Sequence, residues 1–170
     1  MKKMLWVVAL LFALSGCGKQ DQQVFETVGN INCENPERPA ASVISLDLPD
    51  EAAAQAMSEE NGAQVYRWDN YELRTQTRPS GDIVSTMQEL TGMQADALTI
   101  MKQDKDEMTF YQTVWSAVGD EGITCGRAMV ADDGNYHYCV SLTNPENVNA
   151  QELYAKMVNS FQVIPASVGK

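Results

Sequence analysis

The residues able to do chemistry in this chain are few and lie close together. His137 is its one histidine, and Cys139 follows two positions later on a stretch that alternates like a strand, so both side chains fall on one face. A thiol and an imidazole at that spacing suggest a nucleophilic dyad, which requires a reduced thiolate of low pKa. The nearby Cys125 offers that sulfur a disulfide partner, and the expected state of His137 is a surface or half-buried strand residue between two core tyrosines. Asp132, Asp133 and Asn135 are oxygen donors, but an EF-type loop starting at Asp132 places Gly134 and Tyr136 at its third and fifth positions. One starting at Asp133 ends on Asn144 rather than Glu, so a turn is expected here. One histidine and dispersed cysteines do not make a zinc set. There is no G-x-S-x-G elbow, phosphate-cradling glycine loop or H-E-x-x-H motif, and no cofactor is expected. Carboxylates such as Glu59-Glu60 and Asp104 to Glu107 fall where loops and helix ends are expected, as solvated charge. Trp68, Tyr71, Trp115 and His137 form a candidate ligand surface, with core packing the competing role for the aromatics.

The N-terminus has a different character. Lys2 and Lys3 precede an apolar run to Leu14, and small residues follow at Ser15 and Gly16, the tripartite pattern of a secretory signal. Polar residues begin at Lys19, too early for the roughly 20 apolar residues of a spanning helix. Leu14-Ser15-Gly16-Cys17 resembles the lipobox of bacterial lipoproteins. That resemblance implies a thioether to diacylglycerol on Cys17, cleavage before it and acylation of the new amino group. Each buried methylene contributes about 0.8 kcal/mol, so three acyl chains would hold the protein permanently. The expected location is the cell envelope, lipid-anchored to a bacterial membrane with the domain outside the cytoplasm. Gly18 after the cysteine favours the outer membrane in a cell that has two.

Removal of residues 1–16 takes away two lysines and moves the formal charge from −11 to −13. Nucleic acid is a poor partner for such a chain, because its phosphates are held by Lys and Arg. Anionic headgroups are no better, so the lipid on Cys17 is expected to make the membrane contact. Three cysteines then remain in an oxidising compartment. Cys125 and Cys139 are the leading disulfide pair, with a bridge from either to Cys33 as the alternative. If Asp132-Asp133-Gly134 is a three-residue loop, Cys125 faces Ser141 and Cys139 faces Arg127, as diagonal neighbours. A loop one residue nearer the N-terminus places the two cysteines opposite each other.

These residues must be positioned by a domain over residues 42–165. Residues 17–41 are expected to be a polar tether after the 1–16 signal, and 166–170 a short tail. Val43 to Leu48 predicts a strand, and Pro49-Asp50-Glu51 opens an alanine-rich helix running to Met57 and closed by Gly62. Gln64 to Trp68 and Tyr71 to Thr77 predict two strands about an Asp69-Asn70 turn. A helix follows at Asp82 to Thr91, with Gly92 just past its end. Strands are expected at 97–103, 107–117, 122–131 and 135–143, with Tyr136, Tyr138, Val140 and Leu142 as the apolar face of the last. Asn149 and Glu152 form a capping-box-like pair before a helix that buries Leu153, Met157, Val158 and Phe161.

This order predicts an α+β domain, an antiparallel sheet with helices packed on it. The run Tyr111 to Trp115, the segment Gly134 to Tyr138 and a closing helix ending Ser160-Phe161 resemble uncharacterised bacterial lipoproteins and, more distantly, the PsbP-like α/β/α sandwich. The resemblance covers about residues 43–164, by order of elements, and no residue role is carried over. It implies a non-enzymatic binding or assembly module; separately, a protein or small-molecule partner and a monomeric state are expected. A small envelope hydrolase using carboxylates or the His137/Cys139 region is the alternative expectation.

Overall fold

The computed structural model describes residues 22–25, 39–50, 57–120, 122–146 and 148–165. The signal segment, Cys17, Cys33, most of the alanine-rich helix and the 166–170 tail lie outside the described residues. In chain order the elements are β1 (Gln22–Phe25), β2 (Val43–Asp47), β3 (Ser58–Glu60), β4 (Ala63–Trp68), β5 (Tyr71–Pro79), α1 (Ile83–Thr91), β6 (Met101–Lys105), β7 (Met108–Gly119), β8 (Gly122–Asp132), β9 (Tyr136–Pro145), α2 (Gln151–Ser160) and β10 (Gln162–Ile164). One sheet has the order β3-β4-β5-β9-β8-β7-β6, and a smaller one the order β1-β2-β10. All the pairings are antiparallel, and the expected α+β class is the one observed.

The two faces of the large sheet differ because strand side chains alternate. On one face, Tyr66, Trp68, Leu73, Met129, Ala131, Tyr136, Tyr138, Val140 and Leu142 form the main core with Ile44 and Leu46 of β2 and Met157 of α2. On the other, Ala128, Val130 and Cys139 pack under Met87 of α1, with Ile83 and Leu90 of that helix alongside. Helix α1 starts where the Asp82 carboxylate accepts the Ser85 backbone N–H at 2.8 Å. It stops at Gly92, whose left-handed backbone (φ 71°) places its N–H on the Gln88 carbonyl. The helix is short and covers only the middle of its face, over β8 and β9.

Several boundaries move. Gln22–Phe25 pairs with β2, so this part of the predicted tether is a strand and the ordered chain does not begin at residue 42. Asn61 and Gly62 both have positive φ (54° and 75°) and close a two-residue hairpin between β3 and β4, where Gly62 is expected to end a helix. Asp106 and Glu107 (φ 51° and 65°) do the same between β6 and β7, and the strand expected at 97–103 becomes a 3-10 turn at Ala95–Ala97 followed by β6. After α2 the chain adds β10 beside β2.

The β8–β9 register separates the two candidate disulfide cysteines. Pairing closes at Asp132–His137, leaving four residues in the connection instead of three. Cys125 therefore faces Asn144 and Cys139 faces Val130. Positions 125 and 130 differ by an odd number, so the two sulfurs lie on opposite faces of the sheet, on the order of 17 Å apart along the strands. A bridge tolerates a Cα separation of less than about 7 Å. Both thiols are free, Cys139 fully buried and Cys125 half-buried.

Candidate functional site

Where α1 stops short, the far face of the large sheet is open and forms a groove of about 440 Å³. Its floor carries Glu72 and Arg74 of β5, Ser141 and Thr143 of β9, Thr124 of β8 and Trp115 of β7. One wall is the β3–β4 hairpin with Glu60 and Asn61, and the other is the C-terminal turn of α1 with Glu89, Leu90 and Thr91. Its size lies within the range of small-molecule sites.

Four charged side chains close a ring along one side. The Arg67 guanidinium donates to both Glu60 oxygens at 2.6 and 2.8 Å and to Glu72 Oε2 at 2.8 Å. Arg74 donates to Glu72 Oε1 at 2.6 Å and reaches Glu60 Oε2 at 3.4 Å. The register dictates this, since Arg67 and Glu72 are directly opposed across the β4–β5 hairpin and Arg74 lies one pleat along on the same face. Hydrogen bonds from Arg67 hold the Glu60 carboxyl down at about 2, and the two carboxylates in turn raise Arg67. Partial burial pushes Glu72 up, but the guanidinium groups of Arg74 and Arg67 outweigh it and leave that carboxyl below its ordinary value. On the opposite wall Arg78 pairs with Glu89 and lowers it in the same way. The groove therefore presents carboxylates that are ionised and already partnered at neutral pH.

Trp115 lies flat on the floor. A Cβ added to Gly126, its cross-strand partner, would sit 2.2, 2.4 and 2.5 Å from three contiguous atoms of the indole six-membered ring. Such nearly equal distances arise only above the face of a ring. The indole covers the bare backbone of Gly126, and no other residue leaves room for it there.

The candidate ligand residues are not brought together. Trp68 stacks on Tyr71 with centroids 5.3 Å apart, on the main-core side of the sheet. Trp115 alone of the four lines the groove. His137 is fully buried rather than exposed or half-buried, because α1 lies over it, and its Nδ1 is 3.0 Å from the Thr86 hydroxyl. Burial pushes its pKa below the ordinary histidine value against the pull of Asp132, whose Oδ2 is 3.6 Å from Nε2. Cys139 is no nucleophile in this setting: burial raises its thiol to about 12, and its sulfur points to the His137 carbonyl rather than the ring.

The oxygens of Asp132 and Asp133 are engaged within the turn. Asp133 accepts the backbone N–H groups of Asn135 and Tyr136 and the Tyr138 hydroxyl, and Asp132 accepts the Gly134 N–H and the Ser80 hydroxyl. Sequence reasoning missed Glu60, Arg67, Glu72 and Arg74. The last three were accessible from the predicted Asp69-Asn70 hairpin, which fixes their pairing. Glu60 was not, because β3 was hidden behind a predicted helix.

No family model matches the chain, and no curated protein matches it. Among solved structures, it is similar to a crystal structure from Bacteroides thetaiotaomicron VPI-5482, with TM-score 0.49 and 12% identity over 75% of this chain and 46% of that one. This chain thus spans less than half the length of that protein. It is also similar to the solution structure of cyanobacterial PsbP (CyanoP) from Synechocystis sp. PCC 6803, with TM-score 0.56 and 14% identity over 90% of this chain and 98% of that one. At this identity the likeness is one of fold, and the chain has a PsbP-like α+β fold.

Proposed function

We propose that the protein is a lipid-anchored lipoprotein of the bacterial cell envelope whose domain binds a ligand or assembly partner, without turnover, through the groove over β5, β9, β8 and β7. The lipobox-like Leu14-Ser15-Gly16-Cys17 supports the anchor. Among the described residues no helix is long and apolar enough to cross a membrane. The acidic chain favours neither nucleic acid nor anionic headgroups as partners.

The observation that carries the binding reading is the state of the groove carboxylates. Glu60, Glu72 and Glu89 are each paired with a guanidinium and held below their ordinary pKa. General acid catalysis needs a carboxyl raised toward the working pH. Paired ions on a rigid sheet instead offer fixed donors and acceptors suited to recognition. The gathering of three carboxylates around one concavity favours a second reading, a small envelope hydrolase. That reading requires one of them to be protonated near neutrality.

Hydrogen exchange of the full chain, in a non-glycosidic detergent with and without a solubilised envelope extract, tests the proposal. Protection concentrated in the segments holding Trp115, Ser141 and Thr143 is the expected result. Protection confined to other surfaces, or turnover of a defined substrate, overturns it.

A further inference from the structure

We infer that the groove is a saccharide site, in which Trp115 stacks on the apolar face of a pyranose ring while Glu72, Arg74 and Thr143 bind its hydroxyls. This rests on the proposed binding role of the groove and names its ligand class. One face of the indole lies against Gly126, and the ring lines the groove. The ring also packs against the apolar cluster beneath α1 and borders the open volume of the groove, so its outward side is the one a ligand would meet. An aromatic plate held this way presents a flat electron-rich surface at little entropic cost. The C–H bonds on one side of a pyranose complement such a surface.

The rest of the lining fits the other half of a sugar. Serine and threonine hydroxyls at Ser141, Thr143 and Thr124 both donate and accept. Glu72 and Arg74 are planar groups locked side by side at 2.6 Å, one accepting and one donating, a spacing that suits vicinal hydroxyls. The charges are matched, Arg67 and Arg74 with Glu60 and Glu72, and Arg78 with Glu89. With its charges matched the groove offers a charged ligand little net attraction, whereas a neutral polyhydroxylated one needs only the donors and acceptors that the pairs leave over. About 440 Å³ accommodates a small oligosaccharide.

Such a ligand has two sources, a neutral hexose glycan or an N-acetylated glycan of the cell-wall type. The test is calorimetric and fluorescence titration of the full chain, in a non-glycosidic detergent, with cellotetraose and separately with chitotetraose. Binding of at least one probe with a shift in tryptophan emission is expected, and the stronger probe identifies the source. Trp115→Ala should weaken binding about tenfold or more, and Trp115→Phe, which keeps a flat ring, by less than about threefold. Thr143→Val, which preserves shape, should weaken it several-fold and guards against loss of fold in the tryptophan variants. If neither probe binds at millimolar concentration while the envelope extract still protects the groove, the saccharide assignment falls and the binding role stands. If the extract gives no protection either, both fall. Unchanged binding in Trp115→Ala also overturns the assignment.

Discussion

The indole of Trp115 lies face-on over the backbone of Gly126, its cross-strand partner, close enough that a methyl group at position 126 would sit 2.2 Å from a ring carbon. The seated indole forms part of the floor of the groove. Gly126→Ala must lift or rotate the ring. Overpacking of this kind costs about 1–3 kcal/mol. Urea unfolding should register that loss, and near-ultraviolet circular dichroism a changed tryptophan environment. An unaltered spectrum with unaltered stability would mean that the ring is not seated there.

His137 should make the fold acid-sensitive above the carboxylate range. Its pKa is lowered by burial, with Asp132 and Asp133 opposing and Arg78 reinforcing the shift, and the Asp82 carboxylate also lies in its field. The unfolded state, with histidine near 6.5, then binds more protons than the native state as pH falls. Stability contributed by the neutral ring is present above about pH 6.5 and is lost as pH falls through that value toward the lower folded pKa. Melting temperatures at pH 7.5 and 5.5 should differ in the native chain and differ less in His137→Gln. An equal difference in both proteins would remove His137 as the cause.

The same buried face protects Cys139. Alkylation of the native chain should leave this thiol unmodified, and alkylation in urea should label it, as read by peptide mass mapping. A disulfide between Cys139 and Cys125 in freshly purified protein would contradict the observed register.

Much of this was legible in the sequence, and the rest depended on lengths of a single residue or on placement in space. The Asp69-Asn70 turn and the Gly92 stop of α1 are local signals, and each forms as its residue types dictate. The β8–β9 register was not readable. Asp133 captures two backbone N–H groups and lengthens the connection to four residues, and the odd displacement that results turns Cys125 and Cys139 to opposite faces. The burial of His137 needed knowledge of where α1 lies, which no local pattern carries. Of the groove, Trp115 was identified by residue type alone. Glu60 joined its arginines only through a hairpin that sequence reading assigned to the end of a helix.

The anchor makes a separate prediction. Cys17→Ser should give an uncleaved precursor that incorporates no labelled fatty acid and is released from membranes by mild washing. Normal lipid labelling of that variant would refute the assignment of Cys17.

The central claim is that the groove binds and does not catalyse, and the protonation of its carboxyls tests this most directly. Carbon-13 labelling of glutamate side chains, with Glu60→Gln, Glu72→Gln and Glu89→Gln for assignment, would follow each carboxyl through a pH titration. All three should titrate below the ordinary glutamate range, Glu60 near about 2, and remain ionised through neutrality. A groove carboxyl that takes up its proton between about pH 5 and 8, where a general acid must operate, would contradict the account and favour a hydrolase.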